Sequence, residues 1–217
     1  MDIIASQEYA DSLSVWVVRH GETEENCRGV IQGQGTGVLS RQGLWQMART
    51  AEHLYRVKFS AIYSSDLPRA MESAQIIQAA GHSECEIQSA WALREWHLGV
   101  LEGLTRDECQ ARYPKVWQDV CTPGVNAVVP GGETRQALGK RVNDFLDELA
   151  AKHQPGEKIL LVTHGGAIRM MLRRVVGELL DGNRDGAIAN ASVSRFHYYP
   201  ASRAWQLMAW NNIDHLE

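Results

Sequence analysis

The chain has 217 residues with 44% hydrophobic and 22% charged content, which is enough to bury one core. We therefore expect a single domain over residues 1–217, with residues 1–14 as an N-terminal extension. The formal net charge of −4 argues against a nucleic-acid partner, because such binding depends on clustered Lys and Arg. No stretch approaches the roughly 18 apolar residues of a membrane span, so no membrane partner is expected either.

Apolar runs and helical periods alternate along the chain. The first half predicts a strand at VWVV (15–18), a helix at 40–56 capped by Ser40, a strand at AIYS (61–64), and a helix at 66–80 capped by Asp66. The second half predicts helices at 105–112, 134–152 and 166–176, and strands at KILLVT (158–163), ASVSRFHYY (191–199) and AWQLMAW (204–210). This order predicts an α/β fold, a three-layer α/β/α sandwich with a mostly parallel central sheet.

Residues 90–133 have the least regular pattern, with one short helix and a loop rich in Pro and Gly. Such loops often carry binding residues on a rigid scaffold. We expect this insert to shape the substrate site.

The four cysteines form no C-x-x-C pair, which favours free thiols in a reducing compartment. The first fourteen residues contain no basic segment followed by a long apolar segment, so they do not resemble a signal peptide. We expect a cytoplasmic protein.

Three predicted strands are followed by cationic or imidazole side chains. Arg19 and His20 follow the first strand, Arg69 lies shortly after the second, and His164 follows KILLVT. Ligands of parallel sheets bind beyond the carboxyl ends of the strands, so these four side chains should meet. Guanidinium groups and imidazoles around one point suit a phosphate, and the amides of HGG (164–166) at a helix start add further donors.

The motifs RHGET (19–23), SDLPRA (65–70) and VTHGG (162–166) together resemble the histidine phosphatase superfamily, which includes the cofactor-dependent phosphoglycerate mutases. The resemblance runs from about Val15 to Tyr198. It also takes in LREWHLGVLEG (93–103), PGGET (130–134) and NASVSRFHY (190–198).

The resemblance implies a role for each matching residue. His20 would be the nucleophile that becomes phosphohistidine, and Glu95 would be the general acid, which later activates water. The remaining phosphate-binding set would be Arg19, Arg69, His164, Asn26, Gln32, Gly33 and Gly165. Because a carboxyl group must hold a proton to act as an acid, we expect Glu95 in a partly desolvated place against Trp96 or Trp91.

These expectations describe a metal-independent phosphomonoester hydrolase that acts on a small phosphorylated metabolite and needs no cofactor. Two imidazoles and a carboxylate can also bind zinc, so a metal site of His20, His164 and Glu95 is an alternative. The two adjacent arginines oppose it through charge repulsion. A phosphate-binding module without catalysis is a further alternative, although binding alone would need neither a nucleophile nor an acid.

The segment EWHLG (95–99) separates phosphatase from mutase. The mutases carry Arg and Tyr where this chain has Trp96 and Leu98, and that pair grips the carboxylate of phosphoglycerate. The resemblance therefore favours hydrolysis over mutase-type phosphoryl transfer. Trp96, Leu98 and Trp117 suggest a substrate with an apolar or planar portion. The substrate's identity stays open, as does the oligomeric state, for which a homodimer is one alternative.

Overall fold

The computed structural model describes residues 11–122, 124–177 and 187–217. Within these ranges six strands form one sheet: β1 (Leu13–Arg19), β2 (Ala61–Ser64), β3 (Ile87–Ser89), β4 (Lys158–Thr163), β5 (Val193–Tyr199) and β6 (Ala204–Asn212). Their order across the sheet is β3-β2-β4-β1-β5-β6. The β1, β2 and β4 strands are those that the sequence predicts as buried apolar runs.

The sheet is mostly parallel, as predicted. β1 pairs in parallel with β4, β4 with β2, and β2 with β3, whereas β5 runs antiparallel to both β1 and β6. In the register of β1, Val15 lies between Ile159 of β4 and Phe196 of β5. The two predicted C-terminal strands thus form an antiparallel pair that extends one edge of the parallel sheet.

The helices of the described ranges are α1 (Glu24–Cys27), α2 (Arg41–Leu54), α3 (Pro68–Gly81), α4 (Arg106–Arg112), α5 (Pro114–Cys121), α6 (Arg135–Lys152) and α7 (Gly165–Val176). Short 3-10 helices occur at Trp91–Leu93, Gly99–Leu101 and Asp214–Leu216. Ser40 caps α2 as predicted, because its Oγ accepts the Gly43 N–H at 3.0 Å. The predicted cap of α3 was wrong: Leu67 occupies the cap position, and Asp66 instead accepts from Nε of Arg94 at 2.7 Å.

Helices cover both faces of the sheet, which confirms the three layers. Along β1, Leu13, Val15 and Val17 point to the core beneath α6 and α7, whereas Trp16 and Val18 face the core beneath α2 and α3. Successive side chains of a strand point to opposite faces, so one strand supplies both cores. A third, smaller cluster around Leu101, Cys109 and Val129 holds the 90–133 insert together.

Three further sequence expectations concern the N-terminal extension, the cysteines and membrane spans. Leu13 and Ser14 already belong to β1, whereas residues 1–10 of the expected N-terminal extension lie outside the described residues. All four cysteines are free thiols. Of the described helices, none is both long enough and apolar enough to cross a membrane.

Candidate active site

The four side chains predicted to meet lie at the carboxyl ends of β1, β2 and β4. Arg19 ends β1 and His20 follows it, Arg69 lies in the first turn of α3 after β2, and His164 directly follows β4. His20, Arg69 and His164 are at most 2% exposed. The ring centroids of His20 and His164 are 5.0 Å apart. The cationic residues after separate strands therefore form one buried cluster.

His20 has a defined tautomer. Its Nδ1 lies 2.7 Å from the carbonyl oxygen of Gly21, which can only accept, so Nδ1 carries the proton and Nε2 keeps a lone pair. Burial lowers the pKa of His20 well below 6.5, and the charges of Arg19 and Arg69 lower it further. The ring is therefore neutral near pH 7, with a nucleophilic nitrogen.

His164 has the opposite arrangement. Its Nε2 lies 2.8 Å from Ser65 Oγ, and that oxygen already accepts the Leu67 N–H at 3.3 Å. We assign the ring proton of His164 to Nδ1, because the Ser65 hydroxyl can then donate its own proton to Nε2. This Nδ1 is buried without a hydrogen-bond partner among the described residues. Burial, followed by the charge of Arg69, lowers the pKa of His164 well below 6.5, so the ring is neutral near pH 7.

Backbone carbonyls orient the two arginines. Arg69 donates from Nη1 to Gly35 O at 2.8 Å and from Nη2 to Gly33 O at 2.7 Å, while Arg19 donates from Nη1 to the Ile188 carbonyl. The Nε atoms of both arginines are buried without a partner among the described residues. Burial lowers the pKa of Arg69 to about 10, so it remains charged near pH 7. These are oriented cations that can bind an anion.

The side chain of Glu95 lies against the first turn of α7. Its carboxylate accepts the Trp96 N–H at 2.8 Å and the Gly166 N–H at 2.9 Å. A Cβ built on Gly165 would lie 3.9 Å from Glu95 Oε2 and 3.8 Å from Arg19 Nε, so Gly165 separates the two side chains. Glu95 is half-buried, in agreement with the expected partly desolvated place.

Two further side chains hold the Glu95 backbone, and no local sequence signal pointed to them. Arg141, which is 7% exposed, donates to the carbonyls of Ala92, Arg94 and Glu95 and pairs with Glu133 at 2.6 Å. Gln34 donates to the Glu95 carbonyl at 3.1 Å. The only hint was that Arg141 occupies a core-facing position of a long amphipathic helix.

The remaining predicted residues lie around this cluster. Asn26 Oδ1 accepts from Asn190 Nδ2 at 3.2 Å, and Asn190 also donates to the His20 carbonyl at 3.1 Å. Gln32 lies beside Arg69, because a Cβ on Gly37 would be 2.2 Å from Gln32 Oε1 and 3.1 Å from Arg69 Cδ. Gly33 supports Arg69 through its carbonyl. Asn190 and Ser65 were not predicted as site residues, although both lie within the matching motifs.

The donor set does not favour a metal. Within the described ranges, no three His, Cys, Asp or Glu side chains are grouped so that they could hold a metal ion. His97, a neighbour of Glu95 in sequence, is 42% exposed and lies 3.9 Å from Glu102.

A cavity of about 380 Å³ adjoins Glu95, and we name it the arginine cavity. Gly166 and Trp96, whose N–H groups contact the Glu95 carboxylate, form part of its wall. Its lining residues are Trp96, Arg106, Trp117, Val120, Cys121, Arg135, Leu138, Gly166, Arg169, Met170 and Arg173. Leu98 is not among them, and it packs against the cluster around Leu101.

Comparison with known proteins identifies the family of this chain. The sequence profile of the histidine phosphatase superfamily (branch 1) matches residues 15–213, so the chain belongs to this superfamily and is an enzyme of that class. It is 36% identical over 212 residues to phosphoglycerate mutase-like protein 4 of Arabidopsis thaliana, covering 97% of this chain and 90% of that protein. It is 34% identical to the metal-independent phosphoserine phosphatase of Arabidopsis thaliana, covering 95% and 84%.

A solved structure of a phosphatase has the same fold as this chain. The mycobacterial glucosyl-3-phosphoglycerate phosphatase, in complex with VO3, superimposes with a TM-score of 0.81 and 29% identity, covering 92% of this chain and 99% of that one. The relatives thus include phosphatases and a mutase-like protein.

Proposed function

We propose that this protein is a metal-independent phosphomonoesterase that hydrolyses a small phosphorylated metabolite through a phosphohistidine at His20. The observation that supports it best is a neutral His20 whose Nε2 lone pair is free, beside three buried nitrogen atoms that lack partners among the described residues. These are Arg19 Nε, Arg69 Nε and His164 Nδ1. A phosphate between them would supply the missing acceptors.

In the first step, the Nε2 lone pair of His20 attacks phosphorus. The bond to the ester oxygen breaks, its electron pair stays on that oxygen, and protonated Glu95 donates the proton that completes the alcohol. Arg19, Arg69 and His164 donate to the equatorial oxygens, where charge accumulates. The imidazole becomes positive as the new bond forms, and the Gly21 carbonyl stabilises its Nδ1–H.

In the second step, the Glu95 carboxylate removes a proton from water as the water oxygen attacks phosphorus. The phosphorus–nitrogen bond breaks, its electrons return to Nε2, and inorganic phosphate leaves. His20 is again neutral, and Glu95 is again protonated. Each proton and electron pair is accounted for without a metal ion.

Mutase-type transfer differs from hydrolysis only in the molecule that accepts the phosphoryl group from phosphohistidine. Trp96 and Leu98 replace the Arg and Tyr that grip phosphoglycerate in the mutases, and this supports water as the acceptor. Incubation with 3-phosphoglycerate and a bisphosphate primer separates the two activities: a mutase would form the 2-isomer, whereas a phosphatase would release only phosphate.

The first test is hydrolysis of p-nitrophenyl phosphate in excess EDTA. We expect turnover to survive the chelator and to fall at least about a thousandfold in His20→Ala, because that variant lacks the nucleophile. His53→Ala is the matched control, because His53 is an exposed histidine that stacks on His215, outside the motifs, and should keep full activity. Loss of activity with EDTA, or full activity in His20→Ala, would reject the proposal.

A further inference from the structure

The arginine cavity adjoins the leaving-group side of the proposed reaction. The general acid must lie next to the ester oxygen that departs, and Gly166 and Trp96, which bind the Glu95 carboxylate, also line the cavity. Whatever is attached to that oxygen therefore extends beyond Glu95 into this space. We therefore expect the leaving group of the substrate to bind in this cavity.

Three helices supply its four arginines. Arg106 is the first residue of α4, Arg135 the first of α6, and Arg169 and Arg173 lie one turn apart on α7. At 1.5 Å of rise per residue, Arg173 is about 10 Å along the helix from Gly166. Positive charge thus continues from the phosphate site along one side of α7.

Acidic side chains are absent from the described part of the cavity lining. No Asp or Glu is among its lining residues, and no carboxylate of the described residues forms an ion pair with Arg106, Arg135 or Arg173. Arg135 is only 9% exposed, and its Nε is buried without a partner among the described residues. Burial lowers the pKa of Arg135, and the charges of Arg173 and Arg169 lower it further. Like charges held together in this way favour a bound anion.

Two indole rings complete the wall. Trp96 donates from Nε1 to the Glu133 carbonyl at 2.9 Å, and the Arg135 guanidinium lies 5.1 Å above its ring, so this side chain is held in place. Trp117 of α5 lines the same space. A planar or apolar group can pack here beside the charged ones.

We propose that the arginine cavity binds a second anionic group, a carboxylate or a phosphate, carried by the leaving group of the substrate. The inference rests on the proposed function for the direction in which the leaving group points. Arg106 and Arg173 are then specificity-determining residues, and the preferred substrates are phosphomonoesters whose alcohol portion is itself an anion.

The test compares 4-carboxyphenyl phosphate with 4-carbamoylphenyl phosphate, which differ by one charge at nearly constant shape. Both are titrated by calorimetry into the His20→Ala protein, which cannot turn them over. We expect the carboxylate ester to bind at least about tenfold more tightly, as for a charge-assisted hydrogen bond. In a His20→Ala background, Arg173→Gln or Arg106→Gln should remove most of that preference.

Arg174→Gln is the matched control, because Arg174 is next in sequence, pairs with Asp147 and does not line the cavity. It should preserve the preference. Equal affinity for the two esters, or no measurable binding of the carboxylate ester, would overturn the inference. A para-bisphosphate of the same ring shows whether the second anion is preferably phosphate or carboxylate.

Turnover by the wild-type protein separates this inference from the proposed function. Hydrolysis of both esters at equal kcat/KM, with equal binding, retains the phosphatase and rejects the anion site. Preferential binding without any hydrolysis retains the anion site and rejects the phosphatase.

Discussion

The two histidines of the cluster differ in their hydrogen-bond partners, and this difference supports two different proposed roles. A carbonyl oxygen accepts from His20 Nδ1 and leaves a lone pair at Nε2, whereas the Ser65 hydroxyl group contacts His164 at Nε2 and leaves Nδ1 for another partner. Both rings are buried and neutral, because burial and two guanidinium groups oppose a third positive charge. We therefore interpret His20 as nucleophile and His164 as phosphate donor.

The proposed acid can be tested through its leaving group. In Glu95→Gln we expect kcat/KM for an alkyl phosphate to fall about 100- to 1,000-fold, because the departing alkoxide receives no proton. The fall should be much smaller for p-nitrophenyl phosphate, whose leaving group needs no protonation. kcat/KM is the quantity to measure, since it reports the first step alone.

Glu102→Gln provides the control for that measurement. Glu102 lies near the site, where its carboxylate accepts the Gln34 N–H at 3.0 Å and the Leu98 N–H at 2.8 Å, and glutamine retains an acceptor oxygen. Its leaving-group dependence should match that of the wild type. An equal loss on both substrates in Glu95→Gln would remove Glu95 from the role of acid.

At the scale of elements, the start of α7 organises the site. His164 occupies the N-cap position without making a side-chain cap, so the first amides of the helix are available to other acceptors. Glu95 accepts the Gly166 N–H. The positive end of the helix dipole also favours the negative charge of an anion bound near this helix start. The strand–helix junction after β4 therefore places a carboxyl group beside the proposed phosphate site.

Gly166 is required by that close approach. A Cβ at this position would lie 2.1 Å from Glu95 Oε1, so Gly166→Ala must displace the carboxyl group. We expect kcat/KM to fall about 100-fold, as for a misplacement near 1 Å, with the fold retained by circular dichroism.

The matched substitution is Gly139→Ala in α6, where the nearest atom to the new Cβ is Met170 Sδ at an ordinary 3.5 Å. It should leave activity unchanged and stabilise the protein by up to about 1 kcal/mol, since alanine is the better helix former. Full activity in Gly166→Ala would show that Glu95 needs no such close contact.

At the scale of the whole molecule, buried neutral histidines couple stability to pH. His197 is 2% exposed between β1 and β6, where Ser12 Oγ lies 2.9 Å from its Nδ1 and Ser14 Oγ lies 3.1 Å from its Nε2. Burial lowers its pKa from 6.5 to about 4. Between these values the unfolded chain binds a proton that the folded protein does not, so stability falls as the pH decreases below 6.5.

The size of this effect is measurable. At pH 5 the His197 contribution amounts to about 2 kcal/mol relative to pH 8. His197→Gln should therefore lose less unfolding free energy between pH 8 and pH 5 than the wild type does, in urea titrations at both values. Identical pH dependence in the two proteins would mean that His197 does not titrate differently on folding.

The sequence by itself determined the features that depend on local pattern. The apolar runs of β1, β2 and β4, the Ser40 cap and the α6 period are encoded by neighbouring residues, because strands and helices have fixed side-chain periods. The convergence of Arg19, His20, Arg69 and His164 also followed, since the carboxyl ends of parallel strands share one edge of the sheet.

Only the tertiary structure decided the rest. The prediction of Asp66 as the N-cap residue of α3 was wrong, because Asp66 forms an ion pair with Arg94, which lies 28 residues away in the sequence. Other features also depend on residues from different parts of the chain. These are the hydrogen bonds around His20 and His164, the hydrogen bond from Arg141 to the Glu95 carbonyl, and the arginine cavity. No periodic signal marks such contacts, because they arise where helices and loops with separate local patterns pack against one another.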